Sequence, residues 1–119
     1  MSCSSREAVN VCWIGGDTES YIIRYKDSAG EPIDLTGATA EMEIQKSFRD
    51  TVPVIPAKSA TITPSEGLIE FNYSPTDTAT LLGDAQKVRY FYDTQVTLAN
   101  GDVKTLTGGE INIRAGITD

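Results

Sequence analysis

The side chains in this sequence that can do chemistry are carboxylates. Glu41 and Glu43 stand two residues apart in the run ATAEMEI, and Asp17, Asp27 and Asp34 fall beside turn signals. Two carboxylates on one face are the raw material of glycosidase-type acid/base work, provided a groove holds substrate between them. The simpler reading makes the glutamates a solvated strand face and has the aspartates bond their own turn backbones. A lone small sandwich rarely has such a groove, so we adopt the simpler reading.

Composition removes most other chemistry. The sequence contains no histidine, the residue that most cheaply supplies a base near neutral pH. Cys-His, Ser-His-Asp and His-ligated metal sites are therefore excluded. The two cysteines, Cys3 and Cys12, match no zinc spacing. We read them as thiols in a reducing cytosol, Cys3 on a tail and Cys12 beside Trp13, with a disulfide as the alternative. The turns around DSAG and NGD carry oxygens that could gather calcium, but no stretch matches an EF-hand loop. Gly15-Gly16 and Gly108-Gly109 precede neither a helix nor Gly-Lys-Ser/Thr, so they read as turns or strand breaks rather than phosphate loops. Tyr90-Phe91-Tyr92 is either a stacking platform for a sugar or partner, or core packing; in a strand two of the three face inward. We assign no catalytic residue, no cofactor and no metal ligand, and expect a protein that is not an enzyme.

These residues must be carried by one domain. The chain has 119 residues, 39% of them hydrophobic, enough for one core without disulfides or metals. With 17 acidic and 10 basic residues its formal charge is −7. No basic cluster is present to neutralise phosphates, so we expect no nucleic-acid partner. The surplus acid favours solubility and can steer the chain toward a basic surface. No apolar run approaches the roughly 18–20 residues that span a bilayer, and the N-terminus lacks the layout of a secretory signal. The expectation is a chain that stays soluble where it is made, with no membrane partner.

The elements are strands. In EPIDLTGATAEMEI, Ala38, Ala40, Met42 and Ile44 share one face, with Thr39, Glu41, Glu43 and Gln45 on the other, the period of a half-buried strand. Pro32 blocks an earlier start, Gly37 turns the chain into the strand, and Ile33 and Leu35 dip into the core. Val9, Val11 and Trp13 alternate before Gly15-Gly16. SYIIRYK places Tyr21, Ile23 and Tyr25 together, and LIEFNY does the same for Ile69, Phe71 and Tyr73. Residues 47–59, SFRDTVPVIPAKS, read as a long loop or interrupted edge strand, followed by a short strand near Ala60–Thr63 and a PSEG turn. Ser74 is a good N-cap, Pro75 suits the first helical position and Asp77 completes a capping box, which predicts one helical turn ended by Gly83. KVRYFYDTQVTL is the longest strand candidate, with Tyr90, Tyr92, Thr94, Val96 and Leu98 on one face. Asn100-Gly101 marks a hairpin into DVKTLT and then EINIR.

The sum predicts an all-β, immunoglobulin-like β-sandwich of about seven short antiparallel strands, with one short helical turn near residues 75–82. Residues 1–14 form an N-terminal arm and first strand, 15–115 the sandwich, and 116–119 a polar tail. The loop residues Phe48, Val52, Val54 and Ile55 are more apolar than a solvated loop needs. They either fold over the sandwich end or form a contact patch for a partner.

Several stretches together carry a resemblance. They are GDT at 16–18, DSAGEPIDLTGATAEMEI at 27–44, GLIEFNYSPTDTATL at 67–81, YFYDTQVT at 90–97 and NGDVKTLTGGEINI at 100–113. In order and spacing the chain resembles, over about Gly15 to Ala115, the N-terminal domain of siphophage baseplate upper proteins and related virion modules. The resemblance implies an immunoglobulin-like sandwich acting as an assembly module, with no catalytic residues to carry over. Its partners would be other virion proteins of tail, baseplate or capsid, in multiple copies of a symmetric particle assembled in the host bacterial cytoplasm. Long members carry further domains such as receptor-binding parts. For a chain ending at Asp119 the expectation is a tail or baseplate connector or adaptor, with capsid decoration as the runner-up. A carbohydrate-binding module contacting the host surface is the alternative of another class.

Overall fold

A computed structural model describes residues 10–47 and 52–116. Among these residues eight strands lie in two sheets, with one α-helix between the sixth and seventh strands. The larger sheet has the order β1-β8-β7-β3-β4, where β1 is Val11–Ile14, β3 Thr39–Gln45, β4 Lys58–Ser59, β7 Lys87–Thr97 and β8 Val103–Arg114. The smaller has β2 (Glu19–Arg24), β6 (Leu68–Tyr73) and β5 (Thr61–Thr63), in that order across the sheet. The helix, α1, spans Pro75–Leu82. The result is the expected all-β sandwich with a short helix.

The strand order follows the immunoglobulin plan at nearly every position. β2, β6 and β5 correspond to strands B, E and D, and β3, β7 and β8 to C, F and G. The first strand is where it departs. In the seven-stranded plan that strand flanks B, whereas β1 runs parallel to the last strand, pairing Val11 with Ile111 and Trp13 with Ile113. β2 is left as the edge of its sheet.

Side-chain alternation built the core as expected. Along β3, Ala40, Met42 and Ile44 are buried while Thr39, Glu41 and Glu43 are exposed. β7 contributes Tyr90, Tyr92, Thr94 and Val96, and β6 contributes Ile69, Phe71 and Tyr73. Each large apolar side chain taken out of water contributes about 1.5–3 kcal/mol. Trp13 of β1 packs on Tyr73 with ring centroids 4.9 Å apart, and Tyr21 meets Tyr92 edge-on at 5.3 Å. Leu35 is buried and Ile33 packs beside it, both from the connection before β3.

The helix begins as its sequence demands. Asp77 N–H donates to Ser74 Oγ (3.1 Å) and Ser74 N–H donates to Asp77 Oδ2 (3.0 Å), a complete capping box with Pro75 in the first turn. At the other end of the sheet, Leu98 N–H donates to the Asp102 carbonyl and Gly101 N–H to that of Leu98, both at 2.8 Å. The Asn-Gly hairpin is thus closed around three residues, with Gly101 supplying the positive φ that such a loop requires.

Two expectations need correction. Gly108-Gly109 does not break a strand; β8 runs unbroken through both glycines and, at 12 residues, is longer than β7. Pairing with β7 holds the ladder there, Tyr92 standing opposite Gly109 and Asp93 opposite Gly108. The eight described strands fit the expected number of about seven, Lys58–Ser59 adding a two-residue pairing to β3. Cys12 does not carry a free thiol but is disulfide-bonded; the other cysteine of the sequence, Cys3, lies outside the described residues.

Candidate partner-contact surface

The carboxylates singled out by the sequence take up structural work or face solvent. Asp27 Oδ1 accepts from the N–H groups of Ala29 (2.9 Å) and Glu31 (3.0 Å), closing its own turn. Asp34 Oδ1 accepts from Thr36 N–H (3.0 Å) and Thr36 Oγ1 (2.7 Å), and these bonds hold its carboxyl below the usual range. The Asp17 carbonyl accepts from Thr78 Oγ1 at 2.7 Å, tying the turn after β1 to α1. Glu41 and Glu43 are exposed on the outer face of the larger sheet, opposite Gln95 and Asp93.

Among the described residues Asp77 is the other carboxylate with a displaced pKa. Lys58 Nζ donates to it at 2.8 Å, and that bond, with the Ser74 N–H, lowers it. Both displacements are downward, whereas a general acid at neutral pH needs an upward one. The tyrosines move up: Tyr73, Tyr90 and Tyr92 are pushed above their ordinary value chiefly by burial. Tyr92 Oη donates to Tyr21 Oη at 3.0 Å, and Tyr21 Oη donates to Thr107 Oγ1 at 3.0 Å. This chain of hydroxyls reaches Thr94 at the β7–β8 irregularity, where Thr107 N–H donates to Thr94 Oγ1. It satisfies buried polar groups.

The described surface includes two open recesses that bear on the carboxylates. One, of about 440 Å³, is lined by Lys87, Val88, Arg89 and Asn112. The other, of about 470 Å³, lies between the sheet edges and is lined by residues that include Ala38, Ala40, Ala60 and Ile62. Neither gathers a pair of carboxylates. Among the described residues no three Asp, Glu, Cys or His side chains converge to hold a metal ion, and no helix is long and apolar enough to cross a membrane.

The apolar loop residues separate in the structure. Phe48 lies outside the described residues. Val52 is 74% exposed, Val54 packs against the core, and Ile55 is buried. Backbone bonding explains the division. Val54 N–H donates to the Ile44 carbonyl (2.8 Å), Lys58 and Ser59 pair with Met42 and Glu41, and Ala60 N–H donates to the Ala40 carbonyl (3.0 Å). The segment from Val54 to Ala60 therefore covers the free edge of β3, and Ile55 reaches the core from there. Of Val52, Val54 and Ile55, Val52 alone is largely open to a partner.

The aromatic run also divides. Tyr90 and Tyr92 are in the core, while Phe91 is half-buried on the outer face beneath Arg89, whose guanidinium carbon is 5.8 Å from the ring centroid. The feature that sequence reasoning missed is the edge of β2. No signal within SYIIRYK could reveal it, because the edge exists only through the placement of β1 in the other sheet.

No protein-family model matches the chain, and no curated protein is similar enough to count as a match.

Proposed function

We propose that this chain is a non-enzymatic structural protein of a tailed-phage virion, an assembly or adaptor module of the tail or baseplate. The observation that carries the reading is where its polar and apolar groups have gone. Asp27 and Asp34, turn aspartates that could have done chemistry, bond backbone, the aromatics that could stack a sugar mostly fill the core, and among the described residues the sandwich keeps an open strand edge. A domain of this kind has surfaces to offer a neighbour rather than a pocket to offer a substrate. The sequence resemblance to baseplate upper modules supplies the kind of neighbour: other virion proteins, arranged with symmetry. Capsid decoration uses the same physics on a different particle part and stands as the second reading.

The test is complementation. Phage particles produced without this chain are examined by electron microscopy and then incubated with the purified protein. The tail or baseplate reading predicts particles with incomplete tails that regain their structure and infectivity on addition. Intact, fully infectious particles would refute it, and fragile heads with normal tails would move the role to decoration.

A further inference from the structure

The outer edge of β2 is a regular six-residue strand edge that no described segment covers. The other edges are shorter or already bonded in part. On β1, Ile14 N–H donates to Glu19 Oε2 (3.1 Å) and the Ile14 carbonyl accepts from Asp17 N–H (3.1 Å). The edge of β3 is covered by Val54–Ala60, while β4 and β5 are two and three residues long. β2 has no proline and no register shift against β6.

The direction of its free groups follows from the ladder. Tyr25 N–H donates to the Gly67 carbonyl on the β6 side, so by alternation Glu19, Tyr21 and Ile23 also bond toward β6. Ser20, Ile22 and Arg24 therefore aim their N–H and C=O groups outward, along the open edge. Ile22, the midpoint of that trio, is 49% exposed, one of three large apolar side chains left so among the described residues.

We propose that a second copy of this chain pairs on this edge, β2 against β2 antiparallel, about a two-fold axis through Ile22. That register closes about six ladder hydrogen bonds and joins two three-stranded sheets into one. It sets Ile22 on Ile22, Ser20 opposite Arg24, Tyr21 opposite Ile23 and Glu19 opposite Tyr25, so no like charges meet. Centring the axis on Arg24 instead would oppose two guanidinium groups, which destabilises a cross-strand pair, and centring it on Ser20 would shorten the overlap. Self-pairing at Ile22 is thus the occupant that the edge's own sequence favours, and an isologous contact of this kind is the commonest route to a symmetric pair. The inference deepens the assembly reading without resting on a phage origin.

Cysteine cross-linking of the full chain tests it. In this register the two Ile22 Cα atoms stand about 5.5 Å apart, inside the roughly 4.4–6.8 Å that a disulfide bridges. The two Ser20 Cα atoms stand roughly 14 Å apart. Under mild oxidation Ile22→Cys is expected to give a covalent dimer on a non-reducing gel, at least about tenfold faster than Ser20→Cys. Sedimentation of the unmodified chain is expected to show a concentration-dependent dimer, weakened about tenfold or more by Ile22→Lys, which sets one lysine against the other across the axis. Circular dichroism confirms that each variant is folded, as the exposure of both sites predicts. Equal cross-linking of the two cysteine variants, or a chain still monomeric at about 1 mM, overturns the proposal. Either failure removes the edge pairing and leaves the location of the chain in a particle to be tested separately.

Discussion

Replacing Gly67 with alanine tests how the turn before β6 sets the register of the smaller sheet. Gly67 has φ of 61°, and a Cβ there would collide with the Tyr25 carbonyl oxygen and stand 3.1 Å from both Ile33 N and Ile33 O. All three atoms are backbone and cannot rotate away. A left-handed conformation costs an alanine about 1–2 kcal/mol. The collision also displaces the bonds from Tyr25 N–H to the Gly67 carbonyl and from Gly67 N–H to the Pro64 carbonyl, each worth about 1 kcal/mol. The total is about 3–4 kcal/mol, or roughly 12–16 °C in melting temperature for a chain of this size. Gly30 provides the control, with φ of 82° and nothing within 4 Å of an added Cβ. Gly30→Ala should lose only the conformational part, about 1–2 kcal/mol or roughly 4–8 °C. Thermal unfolding followed by circular dichroism measures both. Equal losses in the two variants would refute the claim that close backbone approach at Gly67 holds this corner together.

Ser74→Ala removes the acceptor for Asp77 N–H and should cost about 1 kcal/mol in urea unfolding, with Ser74→Asp largely restoring it. Tyr92→Phe takes one hydroxyl from the buried chain through Tyr21 to Thr107 and should cost about 1–2 kcal/mol without changing the fold. The lowered pKa of Asp77 makes its contribution to stability fully present above the unfolded carboxylate value near 4 and lost as pH falls through the folded value below it. Melting temperature should therefore fall less between pH 5 and pH 3 for Asp77→Asn than for the parent chain; parallel curves would remove the Lys58–Asp77 pair from the acid response.

Local signals were readable wherever a short stretch decides its own conformation. The alternation from Ala38 to Ile44 gave β3 and its buried face, Ser74-Pro75 with Asp77 gave the helix start, and Asn100-Gly101 gave the hairpin. What was not readable depends on neighbours. Gly108-Gly109 looks like a break in isolation, but Tyr92 and Asp93 on one side keep it in the sheet. Lys58–Ser59 has no strand signature, because an edge pairing of two residues needs backbone groups and little else. Val54 and Ile55 read as surplus loop hydrophobics until the edge of β3 that they cover is known. The open edge of β2 is the same lesson in reverse: its residues look like any half-buried strand, and the parallel pairing of β1 with β8 leaves it without a neighbour among the described residues.

The central claim, that this chain is built into a phage particle, is tested most directly by separating purified particles into heads and tails and counting it by quantitative mass spectrometry. The account predicts a few copies per particle in the tail fraction, in a number fitting the symmetry of the part that holds them. Its absence from both fractions would contradict the virion reading outright, and hundreds of copies on heads would contradict the tail placement and make it a decoration protein.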